Sequence, residues 1–324
     1  MATAPVPLSI LDLAAVGREE TVAESFAGSV ALAQAAERGG YKRVWYAEHH
    51  NITSIASSAT AVLIAHVAAQ TETIRLGAGG VMLPNHSPLV IAEQFGTLET
   101  LHPDRIDLGL GRAPGTDQRT WMALRRDPAA SDRFPEDVLE LQKFLSDEEP
   151  LPGLRAIPGR GTKVPLYILG SSLFGAELAA QLGLPYAFAS HFAPRFLHEA
   201  LKAYREEFQP SAQLSEPYAI AGLGVIAADS EESAASQLEA ARRVRARALF
   251  GRGRKLSEDD VTAILASPQA AVVDEMLAYT AVGTAETVAA YLERFAAETG
   301  ADELIAAHYS DSVANRLRSV ELTA

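Results

Sequence analysis

There is no cysteine anywhere in the 324 residues. That excludes disulfides, thiolate-bound metals, iron–sulfur clusters and a cysteine nucleophile, and it fits a reducing cytoplasm. Positive charge is also in deficit: 28 Lys and Arg face 41 Asp and Glu, a formal net charge of −13. Wrapping a phosphate backbone calls for a basic stripe, so this balance argues against a nucleic-acid partner. The short basic clusters Arg242-Arg243-Val244-Arg245-Ala246-Arg247 and Arg252-Gly253-Arg254-Lys255 read as solvated faces, with an anion site as the sharper alternative. Long apolar runs are missing too. The longest, 59–69, is interrupted by Thr60 and His66, and falls short of the roughly 18 to 20 residues a membrane span needs. The first seven residues carry no basic region followed by an apolar core, so no export signal is visible. The expectation is a cytoplasmic protein that engages neither membrane nor nucleic acid.

With 48% apolar and 21% charged residues, the chain has the composition of an ordinary globular protein. Short β-like runs alternate with helical spacing from end to end. The strand-like runs lie at 6–11, 44–47, 74–79, 105–110, 166–169, 187–189, 218–227 and 304–307. Helical patterns follow them at 22–38, 57–69, from Pro88, 135–145, 172–182, 196–208, 231–249 and from Ser312. Eight β-then-α units predict an α/β fold of the (β/α)8 TIM-barrel type, with a doubly wound open sheet as the competing arrangement. No linker divides the chain, so 1–324 reads as one domain. Two stretches break the repeat. Residues 150–163 are rich in Pro and Gly and read as a surface loop or short hairpin. Residues 250–282 form an insertion before the eighth strand and read as a mobile lid over the active site.

In a barrel, chemistry sits at the C-terminal ends of the strands. Glu48-His49-His50 ends strand two, and strand alternation would let at most one of the two imidazoles face the mouth unless the strand has already ended. A buried structural histidine and an acid/base group compete evenly there. Adjacent histidines are poor partners for one metal, so no metal site is expected. Gly79-Gly80 ends strand three, where a tight turn competes with a flat ligand's close approach. Gly109-Leu110-Gly111-Arg112 ends strand four, offering a low wall and a permanent cation suited to phosphate. Gly170-Ser171-Ser172 directly precedes a helix, where a serine caps the helix or helps bind an anion. Arg133 opens another helix on the same rim, a placement that a bound anion would offset. Ser190-His191 ends strand six. Together these residues suggest a barrel enzyme holding a flat, phosphorylated cofactor.

At these same residues the chain resembles the bacterial luciferase-like flavin monooxygenases, and within them the single-chain group 1 luciferase family oxidoreductases. The matching segments are Trp45-Tyr46-Ala47-Glu48-His49-His50-Asn51, Gly79-Gly80-Val81-Met82-Leu83-Pro84-Asn85-His86-Ser87-Pro88-Leu89, Arg105 to Asp117, Leu169-Gly170-Ser171-Ser172 and Ala281-Val282-Gly283-Thr284. The resemblance implies a barrel that binds FMN non-covalently as FMNH2. His49 would be the catalytic histidine at the flavin's reactive edge, with Glu48 and His50 holding the network around it. Gly79-Gly80 would carry a cis peptide under the ring, and Arg112, Arg133, Ser171 and Ser172 would face the phosphate. It further implies a two-component monooxygenase, in which an NAD(P)H:FMN reductase supplies FMNH2 that reacts with O2 to a C4a-peroxyflavin. The substrate would be a small organic molecule such as an aldehyde or ketone, and the apolar Val81, Met82, Leu83 and Phe192 suggest a greasy one. A homodimer is implied as well. Gly111 stands where light-emitting members carry a reactive cysteine, which speaks against light emission. Three alternatives stay open: a deazaflavin (F420)-dependent oxidoreductase of the same fold, a non-catalytic flavin-binding protein, and a metal-assisted barrel hydrolase using His49.

Overall fold

The computed structural model describes residues 6–113, 115–251 and 254–324. Residues 1–5 of the N-terminal segment, Pro114 of the glycine-rich loop, and Arg252 and Gly253 of the second basic cluster lie outside the described residues. Nine parallel strands follow in order: β1 (Leu8–Asp12), β2 (Arg43–Tyr46), β3 (Arg75–Met82), β4 (Ile106–Gly111), β5 (Leu166–Gly170), β6 (Tyr186–Phe188), β7 (Ala219–Ala227), β8 (Thr280–Gly283) and β9 (Glu303–His308). The first seven run in sequence around the wall. β9 then pairs with both β7 and β1, and β6 pairs with β7, so eight strands close the barrel.

β8 corrects the sequence reading, which placed these residues at the end of the insertion. Its four residues pair with Gly224–Ala227, the second half of β7, beyond the point where β6 stops pairing at Ala221. The 304–307 run is thus the eighth strand of the barrel but the ninth in the chain. β3 also runs three residues further than its predicted end at Gly79, through both glycines to Met82, with a register shift against β4 between Ala78 and Val81.

The helices that wrap the wall are α1 (Val22–Arg38), α2 (Thr60–Ala68), α3 (Pro88–Leu101), α4 (Gln118–Ala123), α5 (Phe134–Leu145), α6 (Leu173–Leu182), α7 (Leu197–Glu207), α8 (Glu231–Gly251), α9 (Glu258–Leu265), α10 (Ala270–Met276), α11 (Ala285–Thr299) and α12 (Val313–Thr323). α1 begins where Thr21 and Glu24 cap each other's backbone N–H groups. It buries Ser25, Gly28, Ser29, Leu32 and Ala36, a helical stripe, against the barrel and α12. α11, absent from the sequence reading, fills the segment between β8 and β9. Residues 150–163 hold no helix or ladder strand, only an antiparallel bridge between Leu151 and Leu154. Within 250–282, α9 and α10 pack on α8 through Ala246, Val261, Val273 and Leu277. Among the described residues, no helix is long and apolar enough to cross a membrane.

The barrel interior is polar at its N-terminal end and apolar above. Arg43 is buried there between two carboxylates, 2.7 Å from Asp107 Oδ2 and 2.9 Å from Glu303 Oε1. It also donates to Tyr167 Oη at 2.7 Å, while Arg75 pairs with Asp107 at 2.6 Å and Tyr218 donates to Glu303 at 2.6 Å. Each buried charge therefore has a partner, which is the condition for leaving ions inside a fold. Above this layer, Leu11, Trp45, Ile220 and Ile305 form an apolar cluster, with Trp45 and Tyr167 edge to face at 4.9 Å. Next toward the C-terminal end the wall turns small, with Ala47, Gly79 and Gly111.

Candidate active site

β2 ends at Tyr46, so Glu48, His49 and His50 belong to the loop beyond it. Strand alternation does not govern them, which is the exception the sequence reading allowed. The loop is clamped by the one after β4: the His50 N–H donates to the Gly115 carbonyl at 3.2 Å and Thr116 Oγ1 to the His50 carbonyl at 3.0 Å. Gly115 sits at φ +63°, and a Cβ there would come within 2.8 Å of the Glu48 carbonyl oxygen.

Glu48 is buried and serves as a hub. Its carboxylate accepts from the Met82 N–H at 2.9 Å, from His50 Nε2 at 2.8 Å and from His86 Nε2 at 2.9 Å. An ionised carboxylate only accepts, so both rings present Nε2–H to it. Burial pushes the Glu48 carboxyl up, but the His50 and His86 hydrogen bonds, the attraction of His86 and the Met82 N–H outweigh it and bring the pKa down to about 2. The sequence reading gave His86 no role. The only local signal was its place in the matched segment after Gly79-Gly80.

His49 is different. Its backbone N–H donates to the Ser57 carbonyl at 3.1 Å, while its ring Nδ1 is buried with no hydrogen-bond partner among the described residues. Burial pushes the imidazole below its ordinary pKa, opposed by Glu48 and reinforced by His50. The ring is thus neutral at neutral pH with a free polar atom. His191, just beyond β6, repeats the pattern. Its Nδ1 is also buried and unpartnered, and burial, Arg245 and His49 drive its pKa down to about 3. Its carbonyl accepts from Tyr309 Oη at 2.7 Å.

The wall beside these imidazoles is kept low by glycine. The Gly79–Gly80 peptide is cis. A Cβ on Gly79 would come within 2.7 Å of Leu11 Cδ1, and one on Gly80 within 2.8 Å of the Gly109 carbonyl oxygen. A Cβ on Gly111 would lie 2.9 Å from Met82 Sδ. At the start of α6, Ser172 occupies the N-cap position with no side-chain cap, and Ser171 is half-buried beside it. The Arg112 guanidinium lies over the Phe174 ring, 4.2 Å from its centroid, so the fold brings this cation to the α6 N-terminus. Arg133 stands exposed at the N-cap position of α5, where Asp137 feels its charge. The described contacts join it to neither Ser171 nor Ser172. Among the described residues no group of three or more His, Asp or Glu side chains is disposed to hold a metal ion.

A family model described as luciferase-like monooxygenase matches residues 6–303. A protein of Escherichia coli (strain K12) named luciferase-like monooxygenase is 59% identical over 230 residues, 71% of this chain and 69% of its own. An uncharacterized protein, YvbT of Bacillus subtilis (strain 168), is 49% identical over 320 residues, 98% of this chain and 95% of its own. Among solved structures, apo-MsnO8 is 37% identical with a TM-score of 0.87, covering 98% of this chain and 97% of its own. The fold recurs at lower identity in a type II Baeyer–Villiger monooxygenase in complex with FMN (18%, TM-score 0.73) and in an F420-dependent secondary alcohol dehydrogenase with an F420–acetone adduct (16%, TM-score 0.72). The first covers 98% of this chain and 96% of its own, and the second 98% of each.

Proposed function

The chain belongs to the luciferase-like monooxygenase family and is an oxidoreductase, and from that premise we propose that it is the oxygenating component of a two-component system. A separate NAD(P)H:FMN reductase supplies FMNH2, and the enzyme uses it with O2 to oxidise a small apolar organic substrate such as an aldehyde or ketone. The observation that carries the reading is a buried, unpartnered imidazole Nδ1 on His49 beside a wall whose glycines leave no room for side chains. The residues present fit a flat, phosphorylated ring. Gly79 and Gly80 offer a surface that a Cβ would disrupt, and Arg112 rests on Phe174 in the first turn of α6, whose N-cap residue Ser172 makes no side-chain cap.

Reduced FMN, when bound, supplies the electrons for activating O2. Arg112 and the α6 N–H groups bind the phosphate by charge and dipole together. Trp45, Leu11 and the glycine wall exclude water from the ring face. His49, neutral through burial, accepts or returns a proton at Nδ1. Glu48 anchors His50 and His86 and positions the loop that carries His49.

His49→Ala tests this assignment. FMNH2 binding should persist while substrate oxidation falls by about a hundredfold or more, and turnover at the wild-type rate would remove His49 from the chemistry. Anaerobic FMNH2 mixed with protein and then with O2 should return to oxidised flavin more slowly than in buffer, and faster when a carbonyl substrate is added. A second reading, F420-dependent hydride transfer, draws on the solved alcohol dehydrogenase of the same fold; turnover without O2 would favour it.

A further inference from the structure

Four arginines stand close together on α8, and three are neutralised. Arg242 meets Glu239 and Asp274 at 2.9 Å each. Arg243 meets Glu239 at 3.3 Å and Glu258 at 3.4 Å, and Arg247 meets Glu258 at 2.6 Å. Arg245 has no carboxylate partner among the described residues. Its guanidinium lies over the Tyr309 ring at 4.5 Å from the centroid, and it donates to the His191 carbonyl at 3.4 Å. Tyr309 Oη donates to that same carbonyl, so the cation rests on a fixed bed. This bed stands at the C-terminal ends of β6, β7 and β9. A Cβ on Gly222 of β7 would lie 2.8 Å from His191 Nδ1, and His49 is close enough for its charge to act on His191.

A half-buried guanidinium that rests on a tyrosine ring and a backbone carbonyl, with no carboxylate beside it among the described residues, keeps N–H donors available to an incoming anion. Its planar fork matches a carboxylate in two parallel hydrogen bonds. The basic cluster thus divides: three arginines are the solvated, paired face that its spacing suggests, and the fourth is turned to the mouth. Apolar surface surrounds the same rim, with Phe192 and Phe196 both more than 40% exposed in the loop that carries His191.

We propose that Arg245 receives a carboxylate carried by the organic substrate, which narrows the small apolar aldehyde or ketone of the proposed function to one that is also an organic acid. The proposal rests on the reading of this mouth as the site of a flavin-dependent oxygenase. Tyr309 and His191 are its positioning residues, and the chain of the acid runs along Phe192 toward His49.

The test compares octanoate with 1-octanol by calorimetric titration, with and without FMN, on wild type, Arg245→Gln and Arg245→Lys. Wild type should bind octanoate at least about tenfold more tightly than octanol. Arg245→Gln should cost octanoate about ten- to a hundredfold and leave octanol and FMN unchanged, while Arg245→Lys should retain part of the preference. The absence of an octanoate preference in wild type, or its survival in Arg245→Gln, would overturn the proposal. So would a loss of FMN affinity in Arg245→Gln with octanoate unchanged, which would assign the cation to the cofactor. If wild type binds no flavin yet Arg245→Gln still abolishes the octanoate preference, the anion site stands and the oxygenase reading falls.

Discussion

Replacing Glu48 by Gln removes one negative charge from the centre of the site and changes the volume little. The carboxylate takes one Nε2–H from His50 and one from His86, together with the Met82 N–H. An amide offers a single acceptor oxygen, and its NH2 confronts whichever ring N–H is left. Losing one charge-assisted hydrogen bond and leaving one donor unpaired costs about 2–4 kcal/mol. Linkage gives an independent figure. Glu48 falls from its ordinary 4.5 to about 2 in the folded protein, which at 1.36 kcal/mol per pH unit is about 3 kcal/mol of stability. Because the folded-state pKa is the lower one, that contribution is complete above pH 4.5. It is lost as pH falls toward 2. Urea unfolding followed by tryptophan fluorescence, with Trp45 buried in the barrel, provides the assay. At pH 7 the variant should be about 2–4 kcal/mol less stable, and by pH 3 the gap should shrink by about half. Equal stability at pH 7, or a gap that stays constant down to pH 3, would show that Glu48 is not the charged hub described above.

Two further outcomes follow from the same contacts. Arg43→Met leaves Asp107 and Glu303 buried without their shared cation and should destabilise the barrel by about 3–5 kcal/mol. An unchanged urea midpoint would mean that Arg75 beside Asp107 and Lys42, 3.2 Å from Glu303 Oε2, suffice. Arg112→Ala should weaken FMN binding about tenfold by titration while leaving the melting temperature unchanged, since Arg112 is exposed and its guanidinium rests on the Phe174 ring. Equal affinity would remove it from the phosphate site.

Several features were legible because their cause is local. α1 begins where expected because Thr21 and Glu24 form a reciprocal cap. Strands such as β4 and β7 announced themselves by β-prone runs bounded by turns. β8 did not: Thr280-Ala281-Val282-Gly283 has no alternation, and it becomes a strand only because the second half of β7 has an edge free once β6 ends. The facing of His49 and His50 could not be fixed from the sequence for a related reason. The strand stops two residues before Glu48, and what orients the loop is Gly115, more than sixty residues further on.

What the amino-acid order by itself determined is the succession of βα units, the barrel they form, and the glycine, histidine and serine motifs at the strand ends that mark the luciferase-like monooxygenase family. Each of these depends on neighbours within a few residues, where propensity, capping and hydrophobic period act. Only the tertiary structure decided that Glu48 is satisfied by His50 and His86 while the Nδ1 atoms of His49 and His191 are left without partners among the described residues. The same holds for Arg245, which lies on the Tyr309 ring with no carboxylate partner among the described residues while the arginines around it on α8 are paired. Whether a polar group is compensated depends on which distant residue the fold brings within 3 Å of it, and no local pattern carries that information.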